Sequence, residues 1–245
     1  MTADQIITNY VNAIGGSDKI ADIKTFAEQG EMSGNLTSFS NPFALPTGQS
    51  EKGLFEFYFQ APNLRTYLAY RPDRKVIGMR GCTGTLAWYI DSGGVRREFK
   101  PKSENEYECK AGYDPLPLLR REQNVHLSVK GKKKMGGRIA WVIRSEYPKS
   151  SSIDAYDTYY FDAATYLLLR WESFRPIIAN YGYGPPVSID RLYSDYRDAG
   201  GLKLPFTVVQ KTDRSSVVTI LKQVEINNPI EATRFEEPPI TPNNK

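Results

Sequence analysis

The sequence lacks any run of about 18 consecutive apolar residues, so no stretch reads as a membrane-spanning helix. It has a single histidine, His126, and two cysteines, Cys82 and Cys109, which puts the usual four-ligand zinc sites out of reach. Charge of one sign is also scarce: 32 Lys and Arg against 28 Asp and Glu leave +4, with both signs interspersed. That balance gives no electrostatic footprint for nucleic acid, and no nucleic-acid partner is expected. There is no nucleophile elbow, and the pieces GCTG and KMGGR lack the spacing and following helix of a phosphate loop. No internal repeat is found. Nor is a signal peptide visible: Met1-Thr2-Ala3-Asp4 leads into a helix, which fits a cytosolic protein or a mature exported one given a new start codon.

Aromatic residues make up 12% of the chain, 16 of them Tyr, and this favours a folded, β-rich protein. A length of 245 residues suits one large all-β domain or two small ones, and a single domain spanning 1–245 is expected. The segment Tyr156 to Phe174 organises the reading. Two aromatic and β-branched runs, around Tyr159 and Leu168, flank the polar break Asp162-Ala163-Ala164-Thr165, the pattern of a hairpin. Its second arm, Leu167 to Trp171, carries apolar residues at successive positions, so both faces need cover: by sheet and helix alone, or by a lipid.

At the N-terminus, Thr2 and Gln5 form a capping box, followed by Ile6, Ile7, Tyr10, Val11 and Ile14 on one helical stripe. Gly15-Gly16 ends that helix, and Ser17 caps a short second one to about Ile23. Strands are expected at Phe26 to Gly34, Lys52 to Gln60, Leu64 to Tyr70, Lys75 to Arg80, Thr85 to Asp91 and Gly94 to Lys100. A proline-bearing helix is expected from Asp114 to Gln123. Strands resume at Val125 to Lys130 and Arg138 to Tyr147, joined by the linker Gly131 to Gly137. Its lysines read as a solvated turn, or as a contact for anionic headgroups or a partner. After the hairpin come an irregular loop, Pro176 to Pro186, and strands around Ile189 to Tyr196, Leu202 to Lys211 and Val217 to Ile226. The sum is mainly β with α: one strongly curved antiparallel sheet, open or half closed, with helices over one face.

Chemistry finds little purchase. His126 sits in the alternating strand N-V-H-L-S-V, and Asp154, Asp157 and Asp162 are accounted for by strand and turn positions, although paired carboxylates or calcium are the sharper readings. The cysteines are either two thiols of a reduced protein or a disulfide; if paired, the closed loop contributes roughly 3.5 kcal/mol on the chain-entropy model and implies an oxidising compartment.

Four segments carry a family resemblance: GLFEFYFQAPNLR at Gly53 to Arg65, GTLAWYIDS at Gly84 to Ser92, DPLPLLRREQ at Asp114 to Gln123, and RFEEPP at Arg234 to Pro239. In order and spacing they resemble the periplasmic outer-membrane lipoprotein carrier LolA and its relatives. The resemblance implies a half-open β-barrel whose concave face, covered by helices, holds acyl chains, and it implies the periplasm. One position departs. Ala61 stands where the carrier has an arginine that ties down the lid helices, and Arg65 falls on the next strand, which puts that lock and the choice of lipoprotein as cargo in question.

The expected function is a periplasmic carrier, without catalysis or cofactor, holding lipid or lipoprotein acyl chains in an apolar cavity. The partner is a lipid or acylated lipoprotein and the state a monomer; the alternative is an envelope sensor or adaptor that binds another protein. Candidate lining residues are Phe55, Phe57, Phe59, Leu68, Trp88, Trp141, Leu168 and Trp171. Strand parity tells which of them share a face, but not which face is concave.

Overall fold

The computed structural model describes residues 1–36, 50–84, 86–91, 93–99, 125–146, 156–179, 182–213 and 215–236. Helices α1 (Ala3–Ala13) and α2 (Ser17–Ala21) are followed by thirteen strands: β1 (Thr25–Gly34), β2 (Glu51–Gln60), β3 (Leu64–Tyr70), β4 (Val76–Thr83), β5 (Ala87–Ile90), β6 (Arg96–Phe99), β7 (His126–Met135), β8 (Arg138–Glu146), β9 (Tyr156–Asp162), β10 (Leu168–Ala179), β11 (Gly182–Ala199), β12 (Leu202–Lys211) and β13 (Ser216–Ile226). A 3-10 turn, Ala232–Arg234, closes the described chain. Hydrogen bonding orders the strands β6-β5-β4-β3-β2-β1-β13-β12-β11-β10-β9-β8-β7, antiparallel and, among the described residues, open at both ends, which is the expected sheet. The expected helix at Asp114 to Gln123 lies outside the described residues.

The chain divides into two compact units. One comprises Met1–Ser17 with Asp114–Ser216, the other Asp18–Tyr113 with Val217–Lys245. In the first, the Thr2 hydroxyl accepts from the Gln5 amide at 3.2 Å while the Gln5 side chain accepts from the Thr2 amide at 2.8 Å, so the capping box starts α1 where expected. Ile6, Ile7, Tyr10 and Ile14 are buried along one stripe. The helix ends against the β11–β12 turn, where the Ile14 carbonyl accepts from Lys203 N at 2.9 Å. Gly15 adopts φ +134°, and a Cβ there would lie 2.7 Å from the Gly201 carbonyl oxygen, so only glycine fits.

Two expected loops are strand. The lysine run continues β7 to Met135, leaving Gly136-Gly137 as the turn. A register shift between Val129 and Gly131, with Gly131 at φ +96°, absorbs the glycine as a bulge, and Lys132, Lys133 and Lys134 pair with Trp141, Ala140 and Ile139. The Pro176 to Pro186 segment likewise falls mostly in β10 and β11. A register shift between Arg175 and Ile177 places Pro176, Pro185 and Pro186 outside the paired positions, so their missing donors cost the ladder nothing.

Candidate functional site

In the unit containing α1, cross-strand register puts Trp141, Phe161 and Leu168 in one row and Ile143, Tyr159, Trp171, Arg191 and Gln210 in the next, all on one face. The apolar run in the second arm of the hairpin has a simple cause. A register shift between Leu168 and Arg170 turns Leu168 and Trp171 to the same side, while Leu169 packs with Ala140, Val142 and Tyr160 on the other. Three of the expected lining residues, Trp141, Leu168 and Trp171, therefore share a face.

Helix α1 lies on that face, with the Tyr10 and Phe161 ring centroids 5.2 Å apart. Tyr159 stacks on Phe161 at 6.4 Å and on Trp171 at 5.9 Å, the latter pair within 8° of parallel. Arg191 continues the row, its guanidinium carbon 4.4 Å from the Trp171 ring centroid and its Nε donating to Gln210 Oε1 at 2.8 Å. Leu168, Tyr159 and Phe161 are fully buried, whereas Trp141 and Trp171 are only half-buried. The Trp171 indole nitrogen faces no hydrogen-bond acceptor among the described residues. Burial pushes the Tyr193 hydroxyl up to about 12 and the Tyr196 hydroxyl well above its ordinary range; Tyr196 donates to the Leu168 carbonyl at 2.8 Å.

The same face turns polar one row further on. Leu127, Ser145, Asp157, Ser173 and Ile189 are cross-strand partners, and Ser145, Asp157 and Ser173 are buried. Asp157 accepts from the Tyr159 hydroxyl at 3.2 Å. This is an aromatic surface with a polar border, and a guanidinium continues its second row. Sequence reasoning missed Arg191, because a lone arginine in an alternating strand looks like part of a solvated face.

In the second unit Phe55, Phe57 and Phe59 share a face with Phe26, Glu28, Gly30 and Met32 of β1, with Arg65, Tyr67 and Ala69 of β3, and with Cys82 of β4. Phe55 and Phe59 are buried and Phe57 half-buried. The register places Leu68 and Trp88 on the opposite face, with Tyr58, Thr66 and Gly81. Glu28 was also missed. It sits between Phe57 and Val224, and burial among these side chains pushes its carboxyl up to about 7.

The opposite face carries a different arrangement. Glu56, nearly buried, accepts from the Tyr58 hydroxyl at 2.8 Å, from the Tyr70 hydroxyl, and from Arg234 Nη1 at 3.2 Å, with Arg74 at 3.7 Å. Burial first, and then the Glu56 carboxylate, push both tyrosines up to about 12. Phe235 packs against Ala27 and Tyr58 beside it. Two residues of the RFEEPP segment are thus a clasp for the chain end. The hollow at that clasp, lined in part by Gln29, Tyr58, Ile230 and Arg234, holds about 200 Å³, below the size usual for small-molecule sites.

Among the described residues the candidate catalytic groups do not come together. His126 is exposed at the start of β7. Asp157 and Asp162 project to opposite faces; Asp162 accepts from the Ala164 and Thr165 amides at 2.8 and 3.0 Å, holding the hairpin turn. Asp154 and Cys109 lie outside the described residues. No group of three or more His, Cys, Asp or Glu fit to hold a metal occurs among the described residues.

No family model matches the sequence, and no curated protein matches it. Solved structures do. A LolA superfamily protein from Nitrosomonas europaea matches with TM-score 0.57 and 9% identity over 97% of this chain and 98% of its own. A DUF1329 family protein from Desulfovibrio piger gives 0.59 and 11% over 95% and 96%. A domain described as an outer membrane lipoprotein-sorting protein, from Vibrio parahaemolyticus, gives 0.58 and 11% over 94% of both chains. At such identities the likeness shows the fold: this chain has the LolA-like fold along nearly its whole length.

Proposed function

We propose that this protein is a monomeric, single-domain lipid carrier of the bacterial periplasm, holding acyl chains against the aromatic surface under α1 without catalysis. One observation carries the reading: beneath α1 lies a stacked aromatic surface whose tryptophans, Trp141 and Trp171, are left half-buried. The polar border of Ser145, Asp157 and Ser173 and the Arg191 guanidinium suit the headgroup end of a lipid with an anionic or hydrogen-bonding head. The fold shared with a lipoprotein-sorting domain supports the same class of cargo.

Burying a sixteen-carbon chain contributes on the order of 12 kcal/mol gross. Entry of the chain displaces the α1 contacts of Ile6, Ile7 and Tyr10, which lowers net affinity to a level that permits release. Native mass spectrometry of the protein purified from bacteria, followed by organic extraction, tests the proposal. A lipid adduct on the 27.7 kDa monomer is expected. A clean apo mass together with no uptake of a fluorescent fatty acid would overturn it in favour of a protein-binding adaptor. Trp171→Asp should weaken probe binding at least tenfold while far-ultraviolet circular dichroism stays unchanged; full affinity in the folded variant would remove Trp171 from the site.

The periplasmic assignment has its own check. Cys82 is fully buried on the face that holds Phe55 and Phe59, and we propose its pairing with Cys109. Under denaturing conditions without reductant, neither cysteine should react with iodoacetamide, and both should react after reduction. Two alkylated thiols in the unreduced protein would refute the disulfide.

A further inference from the structure

The β7–β8 hairpin tip combines features that neither the fold nor the aromatic face requires. Lys132, Lys133 and Lys134 are exposed, and none of them has a carboxylate partner among the described residues. They project to both sides of the two-stranded tip: Lys132 Nζ lies 4.4 Å from the Trp141 ring centroid on one face and Lys133 Nζ 5.6 Å from Tyr160 on the other. Arg138 adds a fourth cation, 64% exposed and 3.5 Å from the buried Asp162. Among these charges stands Ile139, 55% exposed and the direct cross-strand partner of Lys134.

The apolar character continues past the tip. The Ile139 carbonyl accepts from Ala163 N at 2.8 Å, joining the tip to the β9–β10 turn. Tyr166, which follows that turn, has its hydroxyl 4.0 Å from the sulfur of Met1, itself 52% exposed. The edge of the sheet at β7 thus ends in four cations around an exposed isoleucine, with glycines at the apex.

We propose that this end of the sheet docks on an anionic lipid bilayer, the lysines meeting headgroup phosphates while Ile139 enters the headgroup–acyl boundary. Cations distributed on both faces of a narrow tip match a laterally uniform charged surface. A single acidic protein patch would call for cations gathered on one face. The exposed isoleucine gains nothing from an acidic polypeptide but gains from the bilayer interior. The docking does not depend on what lies under α1.

Co-flotation with phosphatidylcholine vesicles, with and without phosphatidylglycerol, tests the proposal. Binding is expected only to the anionic vesicles, and it should fall as salt rises. Neutralising Lys132 and Lys134 together to Gln should weaken it roughly 25-fold, about fivefold per lysine. The same neutralisation at Lys203 and Lys211 on β12 should leave it unchanged. Ile139→Ser should weaken binding without altering its salt dependence, and fatty-acid uptake should be unaffected in that variant. Absence of vesicle binding, equal loss in the β12 control, or tip-dependent capture of polyglutamate with vesicle binding unchanged by the tip variants would each overturn the assignment.

Discussion

Gly30→Ala is expected to destabilise the protein by about 3 kcal/mol or more, the upper part of the range for overpacking. A Cβ at Gly30 would stand 2.2 Å from the Ile220 carbonyl oxygen and 2.5 and 2.9 Å from two atoms of the Phe55 ring. The ring can swing away, but the carbonyl belongs to β13, which is hydrogen-bonded to β1 along its length. The two strands would have to separate at the register shift between Gln29 and Gly30. For a chain of this size each kcal/mol lowers the melting temperature by roughly 2–4 °C, so a fall of about 6–12 °C should be measured. Gly53→Ala is the comparison. The three atoms nearest its Cβ would all belong to side chains, Leu36 Cδ1 at 2.8 Å, Ile77 Cδ1 at 3.0 Å and Met32 Cγ at 3.1 Å, which can shift, so about 1 kcal/mol is expected. Equal melting temperatures for the two variants would mean that β13 does not approach Gly30 this closely. Because Phe55 lies on the same face as Phe57 and Phe59, Gly30→Ala also tests whether that face keeps its packing.

Much of this organisation was legible in the sequence, and the parts that were not share a physical cause. Helix α1 could be read because its capping box, apolar stripe and terminal glycines are local signals that agree. The hairpin was legible because Asp162 both ends a strand and caps its own turn. What alternation cannot reveal is a bulge. The register shift after Leu168 brings Trp171 to the same side as Leu168, while Leu169 packs on the other, so the run meets cover on both faces in an order that alternation does not give. A bulge at Gly131 likewise turned an expected lysine-rich loop into strand, since lysine is rare in strands but tolerated at an edge, where β7 lies. Parity told that Phe55, Phe57 and Phe59 share a face; Leu68, expected beside them, lies on the opposite face, which only the β2–β3 register reveals. Trp88 could not be assigned until the β4–β5 pairing placed it opposite Gly81, whose missing side chain makes room for its ring.

Glu28→Gln is expected to stabilise the protein above neutral pH and to leave it unchanged in acid. The sequence around it, F-A-E-Q-G-E-M, does not mark Glu28 as different from Glu31, yet Glu28 lies with Phe26, Phe57 and Val224 while Glu31 is exposed and pairs with Lys222 at 3.3 Å. Burial raises the Glu28 carboxyl from 4.5 to about 7 in the folded protein. Between those values the native state binds more protons than the unfolded state, so stability falls as pH rises from about 4.5 and levels off above about 7. A raised carboxyl therefore destabilises at high pH, by at most about 3 kcal/mol for a shift of this size. Since Glu28 is only half-buried, solvent reduces that ceiling. Glutamine keeps the shape and carries no charge, so the wild-type and variant stabilities should meet near pH 4 and diverge through pH 7. If instead the two curves run parallel across that range, the carboxylate is hydrated in the native state and the β1–β2 face is open to water at Glu28.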